Sequence, residues 1–416
     1  MKKIARNFVL RILSSLARRR ISNAVEIIGI TGSVGKTTTK EAVAQILKTN
    51  FQTRANVKSF NSEFGVPLTI LEEESGFSNP FTWIGILLRS YKKSFSKFPA
   101  EKLVLEMGTD KPGDFKKLLG IVCPQIGVFL NVKPVHLGAN QFSSLEKIAH
   151  EKSLLITGLP QKGQAILNAD DPLVAQTKTQ ARKILFGFTP SADLQASEIS
   201  ETLSGLQAKI QWKNKTAKLQ VPILGKHNLG SLLAAIAVGL ANELHLDDCV
   251  KSLANFHLPP GRLNLLEGIA GSKIIDGSYN SNPASVTAAL STLRKLKTAG
   301  RKIAILGQMN ELGKNSQKWH HEVGVQAAKS ADEIWGVFGD AQEIVDAAKQ
   351  NGKTAEFFKT VEDATKSLQN RIMAEDLILV KGSQNNVRLE KLVAKILANS
   401  NDQKFLCRQD KFWQQN

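Results

Sequence analysis

Cysteine is scarce in this chain, and the little there is cannot work in pairs. Of 416 residues only Cys123, Cys249 and Cys407 are cysteines, far apart and without a C-x-x-C spacing. That argues against a disulfide framework and a thiolate zinc site, and a reducing cytoplasm fits best. Long apolar runs are missing too. No stretch approaches the roughly 18 residues of a spanning helix, and Arg6 and Arg11 interrupt what would otherwise be a signal-peptide core. Neither export nor a membrane crossing is expected. Aromatics make up 6% of the residues, few of them among the basic ones, and no RRM, KH or zinc-finger pattern occurs. Nucleic acid is therefore an unfavoured partner. Internal repeats and low-complexity tracts are absent as well.

Acid is the other deficit: 37 Asp and Glu face 55 Lys and Arg, a net charge of +18. Such an excess suits nucleic acid, an anionic membrane surface or polyanionic small substrates such as nucleotides. It is densest in "MKKIARNFVLRILSSLARRR". Helical spacing there puts Ile4, Phe8, Ile12 and Leu16 on one face with Ala5, Val9 and Leu13 beside it. Lys2, Lys3, Arg6, Arg11 and Arg18 to Arg20 supply the charge. "FTWIGILLRSYKKSFSKF" repeats the pattern, with Phe81, Ile84, Leu88, Tyr91 and Phe95 between Arg89, Lys92, Lys93 and Lys97. Residues 1–20 and 81–98 thus resemble membrane-surface helices. The alternative is that each apolar stripe packs on the protein's own body.

The strongest chemical signal is "EIIGITGSVGKTTTKEAVAQIL". Glu26 to Thr31 reads as a buried strand and Thr38 to Lys48 as a helix. Gly32, Ser33, Val34 and Gly35 then form a turn whose N–H groups and helix N-terminus face an anion. Lys36 would reach terminal phosphates, and the Thr37 hydroxyl a magnesium ion. The spacing is a short G-x-x-G-K-T, because Ile30 stands where the strict motif has its first glycine.

Downstream, strands and helices alternate. "KLVLEMGT", "IGVFLNV" and "QAILNADD" read as parallel strands of a doubly wound sheet, with Glu106, Asn131, His136, Asp170 and Asp171 at the carboxyl ends where ligands collect. After Thr189, "AKIQWKNKTAKLQVPI" suggests a small antiparallel addition, and "GKHNLGSLLAAIAVGLANEL" a long apolar helix. The Pro-Pro-Gly turn of "HLPPGRL" marks a boundary. Beyond it "KIIDGSYN", "KIAILGQM", "EIWGVFG" and "DLILVKGS" look like a second parallel sheet without a phosphate loop. The fold class is α/β: a P-loop ATPase domain with a mostly parallel sheet over 23–258, then a Rossmann-like α/β domain over 259–400. A basic helix over 1–22 precedes them and a loosely ordered polar tail over 401–416 follows.

In order along the chain, "GITGSVGKTTTKE", "SFNSEFGVPLTIL", "LEMGTDKPGDF", "NVKPVHL", "SLEKIAHEKSLLI", "LNADDP", "GKHNLGSLLAAIAV", "PPGRL", "DGSYNSNPASVTAAL", "LGQMNELG" and "LVKGSQNNVRLEKLV" resemble the Mur ligases. Within them the match is to the type that adds D-alanyl-D-alanine to a muramoyl tripeptide in peptidoglycan precursor synthesis. The resemblance implies an ATP-dependent ligase that forms an amide bond through an acyl phosphate. It also implies two magnesium ions, the first held by Thr37 and Glu106, the second with His136 contributing. Arg262 would reach the γ-phosphate, Asn228 the adenine side, and Asp276 the nucleotide. Lys152 matches a lysine that the family carbamylates into a carboxylate-like ligand of the second magnesium. The capping-box pattern from Ser143 to Glu146 puts it on the following helix.

Three positions depart from the family pattern: Gly277 follows Asp276 where a second acid is usual, Ser231 stands for an asparagine, and Gln308 for an aspartate. Relatives also begin with a domain that grips the UDP end of the acceptor, whereas only the basic helix precedes Glu26 here. The expectation is a ligase whose acceptor is recognised by another surface or a partner, or is not UDP-linked. Alternatives are a nucleotide-binding scaffold at the membrane surface, or a ligase for a lipid-linked muramoyl peptide, folate or a poly-amino acid.

Overall fold

The structure is a computed structural model of the whole chain, and it describes residues 3–21, 25–56, 60–77, 79–134, 141–382, 387–409 and 413. The first sheet is organised around the strand that ends in the phosphate loop. Its strands are β1 (Glu26–Thr31), β2 (Thr53–Ala55), β3 (Lys102–Glu106), β4 (Ile126–Phe129), β5 (Gln164–Asn168), β6 (Arg182–Gly187), β7 (Leu194–Thr202), β8 (Gly205–Trp212) and β9 (Lys215–Val221). They lie in the order β2-β3-β1-β4-β5-β6-β7-β8-β9. The pairings from β2 to β7 are parallel and the last two antiparallel, so the expected antiparallel addition continues the same sheet. Five of the six β1 residues are buried, which a central strand covered on both faces requires. In register, Ile30 pairs with Glu106 on one side and Thr31 with Phe129 on the other. The central strands therefore end together, beside the loop.

Among the described residues, eight α-helices belong to this part besides the N-terminal α1 (Lys3–Arg20). They are α2 (Lys36–Leu47), α3 (Gly65–Leu71), α4 (Pro80–Lys93), α5 (Asp114–Leu119), α6 (Leu145–Thr157), α7 (Pro172–Ala175), α8 (Lys226–Ala241) and α9 (Leu246–Ser252). As its apolar sequence requires, α8 is buried along most of its length, and it packs against α2.

The second sheet contains β10 (Asn264–Glu267), β11 (Lys273–Asp276), β12 (Lys302–Gly307), β13 (Glu333–Val337), β14 (Thr354–Phe358) and β15 (Leu377–Lys381), in the order β10-β11-β15-β12-β13-β14. All pairings but β10 with β11 are parallel. Helices α10 (Pro283–Lys295), α11 (Ser316–Ala328), α12 (Ala341–Gln350), α13 (Val361–Gln369) and α14 (Glu390–Ile396) accompany it. Asn282 caps α10 with a reciprocal bond to Ser285, and Pro283 at the first turn spends no donor.

The tail departs from expectation. A 3₁₀ turn spans Ser400–Phe405, Leu406 and Cys407 are buried, and the Arg408 guanidinium meets Glu390 at 3.0 Å. Two apolar side chains and one buried ion pair anchor a stretch whose composition reads as polar.

Helix α1 shows two faces. Val9, Leu13, Ala17 and, just beyond the helix, Ile21 are buried in the core formed with α3 and α4, whereas Ile4 and Phe8 stand exposed. The expectation of packing on the protein's own body thus holds for one face only. Full burial of one such leucine contributes about 1.5–3 kcal/mol. The α6 cap also shifts by one residue: it is Ser144, whose hydroxyl accepts from Lys147 N, rather than Ser143.

Candidate active site

The phosphate loop forms because Gly35 adopts φ +88°, a left-handed conformation that L side chains rarely take, and opens α2 with no side-chain cap. The first N–H groups of α2 thereby keep an unclaimed direction toward an anion. Asn131 braces the turn: its Oδ1 accepts from Val34 N and its Nδ2 donates to Val34 O, both at 3.0 Å, while its carbonyl accepts from Ser33 N. Lys36 Nζ donates to Gly32 O at 2.9 Å, so the ammonium is folded over its own loop. Burial lowers the Lys36 pKa, Glu106 and Asp110 oppose that, and Arg262 adds to it.

The loop opens on a cavity of about 510 Å³ that both sheets line. Ser33 to Thr38, Glu106, Asn228 and Arg262 all border it. The Thr37 hydroxyl donates to Glu106 Oε2 at 2.9 Å, Asn61 Nδ2 donates to Glu106 Oε1 at 2.9 Å, and an Arg262 N–H donates to Thr37 Oγ1 at 3.1 Å. Arg262 also lies 4.5 Å over the Tyr279 ring. One cation from the second half of the molecule is thus clamped onto the first.

Lys152 sits behind this front. It is 2% exposed on α6, and burial first, then Lys36, lower its pKa to about 7, against the pull of Asp110 and Glu151. Glu151 fixes the helix by accepting from Gly113 N at 3.0 Å and Phe115 N at 2.8 Å at the start of α5. Near neutral pH a substantial fraction of Lys152 is therefore the free amine.

Other expected residues are placed differently. Asp276 lies fully buried at the end of β11, takes Ser278 N on one oxygen at 3.0 Å, and does not line the cavity. Burial raises its pKa. Asn228 lines the cavity but ties its amide to Leu224 O at 2.7 Å. Asp170 and Asp171 border it too, with their carboxylates engaged by backbone amides of Phe188, Thr189, Val132 and Leu173. Gly32 shapes the loop without lining the cavity. His136 lies outside the described residues. Among the described residues, no cluster of three or more His, Cys, Asp and Glu side chains is arranged to hold a metal.

Lys381, which nothing in the spacing singled out, borders the cavity at the end of β15. Its Nζ donates to Gly277 O at 3.2 Å and also to Asn280 O. Burial and the neighbouring Arg262 bring its pKa down to about 7. A lysine closing an otherwise fully apolar strand was the available signal. It also rationalises a departure: a Cβ at Gly277 would approach Lys381 Cδ to 2.8 Å. Nothing in the structure explains Ser231, which borders the cavity beside Gly35. Gln308 does not border the cavity.

Comparison with known proteins identifies the lineage. A family model for the Mur ligase middle domain matches residues 30–239, and one for the Mur ligase, glutamate ligase domain, matches 261–384. The chain belongs to the Mur ligase family. The UDP-N-acetylmuramoyl-tripeptide--D-alanyl-D-alanine ligase of Bacillus subtilis is 30% identical over 398 residues, covering 92% of this chain and 79% of that protein. The Escherichia coli ligase of the same name is 31% identical over 310 residues, covering 73% of this chain and 62% of that protein. Among solved structures, the MurF ligase of Thermotoga maritima in complex with ADP superposes with a TM-score of 0.78 at 26% identity. It covers 93% of this chain and 83% of that one. A MurF structure from Acinetobacter baumannii gives 0.78 at 25% identity, covering 94% and 80%. This Mur ligase is thus an enzyme of an ATP-dependent, amide-forming family, with the mixed α/β halves expected of it.

Proposed function

We propose that this Mur ligase uses ATP to join a D-alanyl-D-alanine-like amine to the terminal carboxylate of a muramoyl peptide, with residues 23–258 and 259–400 as its two domains. One observation carries the reading: Lys36, Thr37 and Glu106 from the first sheet and Arg262 from beyond the Pro-Pro-Gly turn converge on one cavity. Relatives that are named for this reaction support the substrates.

An acceptor carboxylate oxygen attacks the γ-phosphorus of ATP and ADP leaves, giving an acyl phosphate. The amine nitrogen then attacks the acyl carbon, and phosphate departs with the C–O bond electrons. Negative charge sits on phosphoryl oxygens throughout. Lys36 and Arg262 are cations that this chain fixes near them, and the loop N–H groups of 35–37, which Asn131 leaves unclaimed, would hold the preceding phosphates. Tyr279 stacks beneath Arg262 and limits its swing.

Magnesium fits the donors present, because the Thr37 hydroxyl and the Glu106 carboxylate are hard oxygens already at hydrogen-bond distance from each other. When bound, it would neutralise phosphate oxygens and orient the transferring group. Glu106 is pre-oriented by Asn61. Lys152 would serve as a carbamate, formed when its neutral amine takes up CO₂ and loses a proton, and His136 would complete a second cation site. The buried amine with its lowered pKa supports that role.

The test combines the protein with ATP, magnesium, a panel of muramoyl-peptide acceptors and D-alanyl-D-alanine, and weighs the products. Lys36→Ala should lower turnover by about 100-fold or more, as loss of a fixed transition-state charge does. Unchanged ADP release in that variant would remove the loop from the mechanism.

A further inference from the structure

Two helices of this molecule carry an outward apolar face that the ligase site does not use. Ile4 and Phe8 on α1, and Phe81, Ile84, Leu88 and Tyr91 on α4, are each more than half exposed, as is Phe95 just beyond α4. Together with Phe77 they account for eight of the twelve large apolar side chains standing exposed among the described residues. Scattered exposure is ordinary in a folded protein, but a concentration on two neighbouring helices marks a binding surface.

The helices form one surface. They pack on each other, and the Arg19 guanidinium lies 3.7 Å over the Phe95 ring, so their C-terminal ends meet. Each is anchored by a separate inner face: Val9, Leu13 and Ala17 on α1, Trp83 and Ile86 on α4. The exposed side chains are therefore not needed to hold the helices in place.

We propose that the α1–α4 surface docks the enzyme on an anionic lipid bilayer. Charge selects the occupant. Neither helix contains an acidic residue, while Arg11, Arg18, Lys92 and Lys97 stand exposed around the apolar stripe. A basic rim around protruding phenylalanine, isoleucine and leucine side chains suits headgroup phosphates above acyl chains. A second copy of the same face would set like charges against each other. No described helix is long and apolar enough to cross a membrane, so the contact is peripheral.

The surface also bears on the cleft. Arg6, on the same turn as Ile4 and Phe8, pairs with Glu63 at 2.7 Å and lines a second cavity of about 390 Å³. That cavity shares Asn61, Gly108 and Asp110 with the main one. Docking would thus hold one approach to the site near the headgroups.

The experiment is flotation of the full chain with vesicles of pure phosphatidylcholine or of phosphatidylcholine with phosphatidylglycerol, at low and high salt. Binding should require the anionic lipid and fall at high salt, where charges are screened beyond about 3 Å at 1 M. Phe81→Ser with Leu88→Ser, and separately Arg11→Glu with Lys92→Glu, should each weaken binding at least about tenfold. Their melting temperatures should stay at the parent value, because all four side chains are solvent-facing. Equal flotation with neutral vesicles, no flotation at all, or a parent dimer that these variants split into monomers would each overturn the proposal. None of these readouts requires ligase activity, so failure here leaves the proposed reaction standing.

Discussion

Two lysines, one in each half of the molecule, share a depressed pKa of about 7 and differ in everything that follows from it. Lys152 and Lys381 are both lowered mainly by burial and next by a neighbouring cation, Lys36 in one case and Arg262 in the other. Lys381 spends its Nζ on the carbonyls of Gly277 and Asn280. No hydrogen bond from Lys152 Nζ is made among the described residues, and only the charges of Asp110 and Glu151 attract it. The same pKa therefore serves different ends. A tethered amine holds a turn in place, and an untethered one is open to chemistry. Burial alone does not make a lysine reactive.

The largest effect is expected of Lys152→Ala. It should be nearly inactive yet folded, and bicarbonate or a small carboxylate should restore part of the activity. Carbon-13 NMR with labelled bicarbonate reads the same chemistry without turnover. A carbamate signal is expected in the parent and in Lys381→Met and absent from Lys152→Ala, whereas a signal lost only in Lys381→Met would reverse the assignment.

Lys381→Met should act more mildly, through position. Freed from Nζ, the turn from Gly277 to Asn280 relaxes and Tyr279 shifts under Arg262. A roughly tenfold fall in kcat is expected, in keeping with the cost of misplacing a group by less than 1 Å. A variant with parental kcat would reduce Lys381 to packing alone.

The smallest effect concerns stability. In the folded state Lys152 loses its proton near pH 7, but in the unfolded chain only near pH 10.4. Between those values the unfolded state binds more protons, so this group makes stability rise with pH, and its full penalty applies below pH 7. In CO₂-free buffer Lys152→Met should melt higher than the parent at pH 6 by about a few degrees, with the advantage shrinking toward pH 10. An advantage that instead grows with pH would contradict the burial of an ammonium at this position.

Much of the fold and part of the site were legible in the sequence, for identifiable reasons. The phosphate loop is local: a buried strand, a glycine turn and a helix sit within 22 residues, so Lys36 and Thr37 follow from spacing alone. Glu106 and Asn131 were findable because parallel strands end together and ligands gather there. Lys152 came from resemblance, since no spacing distinguishes it from a solvated helix lysine. What escaped depends on distant contacts. The fate of Asp276 is decided by β11 ending inside the core, and that of Lys381 by β15 pairing between β11 and β12. The buried end of the tail depends on Glu390, 18 residues before Arg408. In α1, apolar residues lie on adjoining faces, and periodicity could not say which one the body would claim.

One product decides whether this Mur ligase joins D-alanyl-D-alanine to a muramoyl peptide. Incubated with ATP, magnesium, a muramoyl tripeptide and D-alanyl-D-alanine, the protein should yield a species heavier than the tripeptide by the dipeptide less one water. One ADP and one phosphate should appear per bond formed. ATP turnover that leaves every muramoyl-peptide acceptor at its starting mass would contradict the proposed reaction.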